Sequence, residues 1–153
     1  MFKRATGVIL PPPVIYLLFL AAAWALDALL PLGLPRNLWT DYFGWGLIDA
    51  GVLLMLWAGL LMLWRRTTVN PYGKPARLLE EGPFRVSRNP IYLADSLIYA
   101  GIALLWGTLW PWLLLPVLIY SMQRGVIVHE ERLLTELFGD DYRRYCRRVR
   151  RWV

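Results

Sequence analysis

The chain has 153 residues, of which 58% are hydrophobic, and its mean hydropathy is +0.41. Soluble domains are roughly 45–50% apolar, so this composition excludes an ordinary soluble domain and indicates one integral membrane domain. The net charge of +6 alone would also fit a nucleic-acid-binding protein. The basic residues flank apolar segments instead, and we expect no nucleic-acid partner.

Four apolar segments are predicted to be transmembrane helices, because each is close to the roughly 20 residues that cross a bilayer. They cover about residues 8–30, 43–64, 91–106 and 109–128. A proline-containing connection separates the first two, and a very short one separates the last two. We therefore predict an all-α integral membrane fold with four transmembrane helices arranged as two antiparallel hairpins.

The distribution of basic residues predicts the orientation. Of the 17 Lys and Arg residues, all but Arg36 lie on one side of the predicted membrane. The positive-inside rule then puts both termini and residues 65–90 in the cytoplasm, and we expect the inner or plasma membrane of a prokaryote. The apolar N-terminal segment is interrupted by prolines and continues to Leu30, which favours a membrane helix over a cleaved signal peptide.

The numbers of cysteine and histidine residues limit the disulfides and metal sites that the chain can form. The only cysteine is Cys146 and the only histidine is His129. An intramolecular disulfide and a cysteine metal cluster are therefore excluded, and we predict no metal site.

Small residues at positions 50, 51, 58 and 59 of the second span permit close helix packing, either within the chain or in a homo-oligomer.

The segment before the third span is polar and irregular. Prolines and glycines that prevent a continuous helix stand at Pro71, Gly73, Pro75, Gly82, Pro83 and Pro90. Asn89 is predicted to cap the third helix, with Pro90 in its first turn. Capping does not account for Arg88, Tyr92 and Asp95 in the same turns, so this segment is a candidate site.

The fourth span is predicted to continue beyond the membrane as a polar helix that ends at Gly139. Adjacent residues of a helix point about 100° apart, so Glu130 and Glu131 face different surroundings. Glu130 is closer to the apolar side, and an ionisable residue at this depth is a functional candidate. The alternative is an interfacial charge that pairs with an arginine.

The last segment, residues 141–153, interleaves arginines with Tyr142, Tyr145 and Trp152. The spacing of the aromatic residues predicts an amphipathic helix that lies on anionic lipid. A solvated basic tail that only sets the topology is the alternative.

Two sequence stretches together carry a resemblance. "GPFRVSRNPIYLAD" and, further along, "HEERLLTELFGDDYRRYCRRV" resemble the isoprenylcysteine carboxyl methyltransferase family and its relatives among the membrane-embedded phospholipid methyltransferases. The matching elements are Gly82, Phe84, Arg88, Asn89, Pro90, Tyr92, Glu130, Glu131, Phe138, Gly139, Tyr142 and Tyr145. The resemblance covers residues 75–149, about half of the chain.

The resemblance implies a methyltransferase that binds S-adenosylmethionine in residues 74–149, closed by the cytoplasmic loop and the C-terminal helix. The implied cofactor-binding residues are Ala76, Arg77, Leu78, Leu79, Phe84, Arg88, Asn89, Pro90, Ile91, Tyr92 and Glu130. Residues 76–79 would hold the adenosyl part, Phe84 would form an aromatic wall, and residues 88–92 would hold the methionine part. A helix N-terminus suits a carboxylate, and Glu130 suits a cationic group.

The implied catalytic residues are Arg124 and Glu130. The family places a substrate-binding arginine about four residues before the functional glutamate, where this chain has Val126. Either Arg124 replaces that arginine, or the acceptor lacks a carboxylate. Asn89 stands where the family often has histidine, which leaves that position a hydrogen-bonding role only.

The sequence thus predicts methyl transfer to a lipidic or prenylated small-molecule acceptor, such as an isoprenylcysteine-type carboxylate, among membrane lipids. The alternatives are a phospholipid N-methyltransferase and a noncatalytic four-helix lipid-binding protein. Cofactor binding separates the two enzymes from the third protein, and the chemistry of the acceptor separates the two enzymes.

Overall fold

The computed structural model describes residues 10–67 and 75–153. Five α-helices follow one another: α1 (Pro12–Leu29), α2 (Leu38–Trp64), α3 (Pro90–Trp106), α4 (Trp110–Met122) and α5 (Val128–Arg148). A 3-10 turn, Gly82–Arg85, precedes α3, and a π-helical turn, Gln123–Ile127, joins α4 to α5 without a break. The predicted beginning of the first span at residue 8, and Lys3, Arg4, Pro71, Gly73 and Lys74, lie outside the described residues.

The chain is a multi-pass integral membrane protein. Three described segments are long and apolar enough to cross a bilayer: α1, α2 and the continuous segment Trp110–Arg148. Helix α3 is also apolar but has only 17 residues. Within the last segment, α4 is strongly apolar and α5 carries most of the charge, which fits the predicted extension of this helix beyond the membrane. The all-α architecture with four apolar helices is therefore confirmed.

The pairing of the helices differs from the prediction. Helix α2 packs chiefly against α3, and α1 packs chiefly against α4. The predicted packing of the first span on the second, and of the third on the fourth, is thus wrong for the main contacts. Hydropathy identifies the apolar helices but carries no information on which of them are neighbours.

Small residues explain the close contact between α2 and α3. A Cβ atom added at Gly101 would lie 2.6 Å from the carbonyl oxygen of Gly44. One added at Gly51 would lie 2.8 Å from the carbonyl oxygen of Ala94. Glycine at these positions lets the two backbones approach directly, as in many membrane helix pairs.

Hydrogen bonds between the α1–α2 connection and the α3–α4 turn support the contact of α1 with α4. The Leu34 amide donates to the carbonyl of Gly107 at 2.7 Å, and the Leu109 amide donates to the carbonyl of Leu32 at 2.9 Å. Thr108 Oγ1 donates to Asp27 Oδ1 at 2.6 Å. These bonds tie the α1–α2 connection to the α3–α4 turn, and they give Asp27 a structural partner.

Helix α2 begins at Leu38 rather than at residue 43. Asn37 Oδ1 accepts the Thr40 amide at 3.0 Å, and Thr40 Oγ1 accepts the Asn37 amide at 3.0 Å. This reciprocal capping box satisfies two backbone donors. It fixes the start of the helix upstream of the strongly apolar segment from which the span was predicted.

Helix α5 continues past its predicted end. Gly139 has φ 53° and ψ −120°, so it kinks α5, which then runs on to Arg148. Tyr142 and Tyr145 are each only 3% exposed, because they face the protein. The predicted helix in this region is therefore confirmed up to Arg148. Its tyrosines are buried against the protein rather than turned outward, and the placement of the helix on anionic lipid stays a prediction.

Candidate active site

A tyrosine and a carboxylate connect the first turn of α3 to the first turn of α5. Tyr92 donates its phenolic hydrogen to Glu130 Oε1 at 2.6 Å. Asp95 follows Tyr92 by three residues, so it lies on the same side of α3. Burial raises the pKa of Glu130 to about 7; the hydrogen bond from Tyr92 acts in the opposite direction, and the nearby Glu131 charge adds to the rise.

Glu131 is held by two arginines, an arrangement that we call the arginine clamp (Arg88, Glu131 and Arg151). Arg151 Nε and Nη2 donate to the two carboxylate oxygens of Glu131 at 2.9 and 2.6 Å. Arg88 Nη1 lies 3.3 Å from Glu131 Oε1 and also donates to the Cys146 sulfur. The hydrogen bonds to Glu131 raise the pKa of Arg151. Glu130 and Glu131 therefore face different partners, as their helical positions predict.

The backbone of residues 150 and 151 lies against the start of α3. The Arg88 amide donates to the carbonyl of Arg150 at 3.0 Å, and Asn89 Nδ2 donates to the carbonyl of Arg151 at 2.9 Å. Asn89 occupies the N-cap position, but its side chain makes no capping bond to α3. The predicted capping role of the Asn89 side chain is therefore wrong, because that side chain binds the C-terminal segment instead.

A surface cleft of about 490 Å³ lies between residues 76–80 and α5. Its lining consists of Ala76, Arg77, Leu78, Glu80, Phe138, Asp141, Arg144 and Arg148. An ion pair between Arg148 and Glu80 connects its two sides. Leu79 is 8% exposed and anchors this loop in the protein. Three of the predicted cofactor-binding residues thus line one cavity.

Phe84 lies in the 3-10 turn that follows the cleft residues 76–80 in the chain. Its carbonyl accepts the Tyr145 hydroxyl at 2.6 Å, which joins this turn to α5. Burial raises the pKa of Tyr145. Gly82 begins the turn with φ +56°, a conformation that favours glycine.

The predicted site residues therefore fall into three groups. Residues 76–78 line the cleft, Arg88 and Asn89 contact Glu131 and the C-terminal segment, and Tyr92 binds Glu130. Pro90 is fully buried and Ile91 is partly buried at the start of α3. The second and third groups bond to α5 or to the segment that follows it, and the first group lines a cleft together with α5.

Arg124 is not brought to this site. Its side chain is exposed in the π-helical turn, with the guanidinium carbon 5.7 Å from the centre of the Tyr120 ring. Tyr120 is itself 61% exposed. Val126, which occupies the position of the family's arginine, is fully buried in the core. Arg124 and Glu130 are six residues apart, so even a regular helix would point them in different directions.

Tyr16 of α1 is not among the residues predicted for the site. Its hydroxyl oxygen lies 2.8 Å from Ser96 Oγ, and it donates to the carbonyl of Tyr92 at 3.1 Å. A single tyrosine in an apolar span matches no motif, so only the packing of α1 on its neighbours reveals this contact.

Two comparisons relate the chain to known proteins. The profile of the family described as "Phospholipid methyltransferase" matches residues 39–141. An uncharacterized protein of Haemophilus influenzae is 38% identical over 63 residues, which are 41% of this chain and the whole of that relative. No solved structure matches the chain.

Proposed function

The chain belongs to the phospholipid methyltransferase family, whose members are S-adenosylmethionine-dependent enzymes, and from this premise we propose that it methylates an amine head group of a membrane lipid. The family implies a lipid-type acceptor without specifying its chemistry. The observation that carries the amine proposal is the carboxylate of Glu130, which lies against Tyr92 with Asp95 on the same side of α3. Family membership also argues against the noncatalytic lipid-binding alternative.

The surface cleft fits the cofactor in size and in chemistry. Its volume lies within the roughly 300–1,000 Å³ of typical small-molecule sites. Leu78 and Phe138 offer apolar surface for an adenine ring, and both acidic and basic side chains line the cleft. S-adenosylmethionine carries an ammonium, a carboxylate and a sulfonium group, so it needs both signs of charge. We assign the adenosyl part to residues 76–79, as the sequence resemblance implies.

Arg88 and Asn89 are assigned to the methionine part of the cofactor, and the contact of Arg88 with Glu131 bears on this assignment. Arg88 already faces Glu131, so a cofactor carboxylate would share this guanidinium or displace Glu131 from it. Arg88 suits the cofactor carboxylate better than Asn89 does, because its guanidinium presents several donors in a planar fork. Tyr92 and Glu130 complete the proposed site on the side where the cationic centre would lie.

The residues at the site can bind and deprotonate an amine. When bound, the cofactor supplies a methyl group on a positively charged sulfur. An ammonium head group would first lose one proton, and the Glu130 carboxylate is the proposed acceptor of that proton. A base functions best when its pKa is near the working pH, and burial raises the pKa of Glu130 to about 7. The neutral amine then has a free electron pair for the methyl group.

The isoprenylcysteine-type carboxylate predicted from the sequence receives less support. A carboxylate acceptor requires a cationic partner near the reacting centre. Arg124 projects beside Tyr120, and Val126 is buried in the core. Arg88 is assigned to the cofactor carboxylate, and Arg151 donates to both carboxylate oxygens of Glu131. An amine acceptor needs no such partner and benefits from Glu130.

A pH titration tests the role of Glu130. We expect the affinity for sinefungin, an analogue with an ammonium group at the sulfonium position, to fall about tenfold per pH unit below pH 7. Binding a cation requires the ionised carboxylate, and the pKa of Glu130 is about 7 before binding. Affinity therefore rises with pH up to that value and is constant above it. Calorimetry between about pH 5.5 and 8 measures this dependence; a pH-independent affinity in the wild type would contradict the assignment.

The site and both termini are proposed to face the cytoplasm of a prokaryote, in the inner membrane. Exposed arginines at positions 66, 77, 85, 143, 144 and 147 support this orientation, because they lie on the side of the loop and α5. One membrane domain is proposed for the whole chain, with the cofactor region in residues 74–149.

Reconstitution with defined acceptors tests the function. The purified protein is placed in liposomes that contain either an amine-headed phospholipid or a prenylated cysteine with a free carboxylate, together with cofactor labelled on its methyl group. We expect label in the amine lipid that mild alkali does not release as volatile methanol, because N-methyl groups do not hydrolyse. Alkali-labile label in the prenylated cysteine would instead indicate a methyl ester and support the carboxylate reading.

A further inference from the structure

Tyr16 connects helix α1 to the Tyr92–Glu130 pair. Its hydroxyl oxygen, Ser96 Oγ and the carbonyl oxygen of Tyr92 form a triangle with sides of 2.8, 2.8 and 3.1 Å. Tyr16 and Ser96 supply one hydroxyl hydrogen each, so two of the three contacts are hydrogen bonds at any one time. Tyr92 therefore uses its backbone to contact α1 and its phenol to contact Glu130.

The ring of Tyr16 also packs in the core cluster that includes Val126, just before α5. Tyr16 is 5% exposed and belongs to a core cluster with Tyr99, Leu118, Met122 and Val126. The rings of Tyr16 and Tyr99 meet edge to face, with centroids 6.3 Å apart. Val126 lies in the π-helical turn that leads into α5. Tyr16 thus contacts α3, which carries Tyr92, and shares a core with the turn that precedes Glu130.

Helix α1 lies outside residues 39–141, which the family profile matches. We propose that Tyr16 is a positioning residue of the active site, and this inference rests on the proposed function. It holds the first turn of α3 so that the Tyr92 phenol stays aligned with Glu130. Its hydroxyl contacts Ser96 and the backbone carbonyl of Tyr92. Small displacements of aligned groups lower catalytic efficiency strongly, so such a support has a measurable effect.

A double-mutant cycle on ligand affinity tests this proposal. Sinefungin binding is measured by calorimetry for the wild type, Tyr16→Phe, Tyr92→Phe and the double variant. We expect Tyr16→Phe to weaken binding about 3- to 10-fold, the effect of one hydrogen bond, and to have no further effect when Tyr92→Phe is present. Additive effects of the two substitutions would overturn the proposal.

Tyr99→Phe is the matched control. Tyr99 is 2% exposed in the same core cluster, but its hydroxyl donates to the carbonyl of Pro111 at 3.0 Å, away from the site. We expect this variant to bind sinefungin like the wild type. An equal loss in Tyr99→Phe and Tyr16→Phe would mean a general packing effect and would overturn the proposal.

A second variant and the wild-type affinity distinguish failure of this inference from failure of folding and from failure of the proposed function. If Tyr16→Phe does not fold, Ser96→Ala removes another corner of the triangle, and the same lack of additivity with Tyr92→Phe is expected. Additivity for Ser96→Ala would count against the proposal. A folded wild type that binds no sinefungin would contradict the proposed function and, with it, this inference; normal wild-type binding with an additive cycle would contradict the inference alone.

Discussion

Glu130→Gln is expected to lower kcat/KM for an amine lipid by about 10²- to 10⁴-fold, the usual contribution of a general base. Glutamine has nearly the shape of glutamate, and its carbonyl oxygen can still accept the Tyr92 hydroxyl that Glu130 accepts at 2.6 Å. The substitution therefore removes the charge and the proton acceptor while it leaves the packing in place. Initial rates with labelled cofactor in liposomes measure the loss.

Glu136→Gln is the control for that substitution. Glu136 is exposed on the same helix, α5, and its replacement also removes one negative charge. We expect rates within about twofold of the wild type, since exposed charges contribute little. A Glu130→Gln enzyme as active as the Glu136→Gln enzyme would contradict the assigned role of Glu130.

Gly101→Ala is expected to destabilise the protein by about 1–3 kcal/mol, the usual cost of overpacking. The added methyl group would lie 2.6 Å from the Gly44 carbonyl oxygen and 3.1 Å from the Ile48 amide nitrogen. Backbone atoms cannot turn away as a side chain can, so α2 and α3 must separate. Because α3 also carries Tyr92, activity is expected to fall with stability. Unfolding in mixed detergent micelles measures the change.

Gly46→Ala separates overpacking from helix propensity. A Cβ atom at Gly46, on the exposed side of α2, would meet nothing within 4 Å. Both substitutions gain the higher helix propensity of alanine, worth up to about 1 kcal/mol. We expect Gly46→Ala to be as stable as the wild type or more stable. Equal stability of the two variants would show that the contact between Gly101 and Gly44 does not limit the approach of the helices.

The sequence predicts the helices better than their arrangement. Long apolar segments identify the four apolar helices, since composition alone determines what a bilayer accepts. The pairing of α2 with α3 depends on Gly44, Gly51 and Gly101, whose spacing becomes meaningful only when two helices are compared. Gly139 is predicted to end the helix, but it only kinks it, and Tyr142 and Tyr145 of the continuing helix are buried. A glycine in the sequence does not distinguish a kink from a helix end.

The site is predictable where short motifs carry it. The motif around residues 88–92 and the paired glutamates are enough to identify the two segments that meet in the Tyr92–Glu130 contact. The prediction for Arg124 fails for a reason already present in the spacing, because side chains six residues apart leave a helix in different directions, and the π-helical turn at residues 123–127 changes the direction further. Tyr16 is found only from the packing of α1, since its hydroxyl contacts residues about 80 positions away.

The affinities of sinefungin and S-adenosylhomocysteine, compared in the wild type and in Glu130→Gln at about pH 8, test the central claim most directly. The two ligands differ at the reacting centre, where sinefungin has an ammonium group and S-adenosylhomocysteine has a neutral sulfur. If Glu130 faces that centre, the substitution weakens sinefungin at least about tenfold and S-adenosylhomocysteine much less. Equal weakening of both ligands, or of neither in a folded variant, would contradict the placement of Glu130 at the reacting centre.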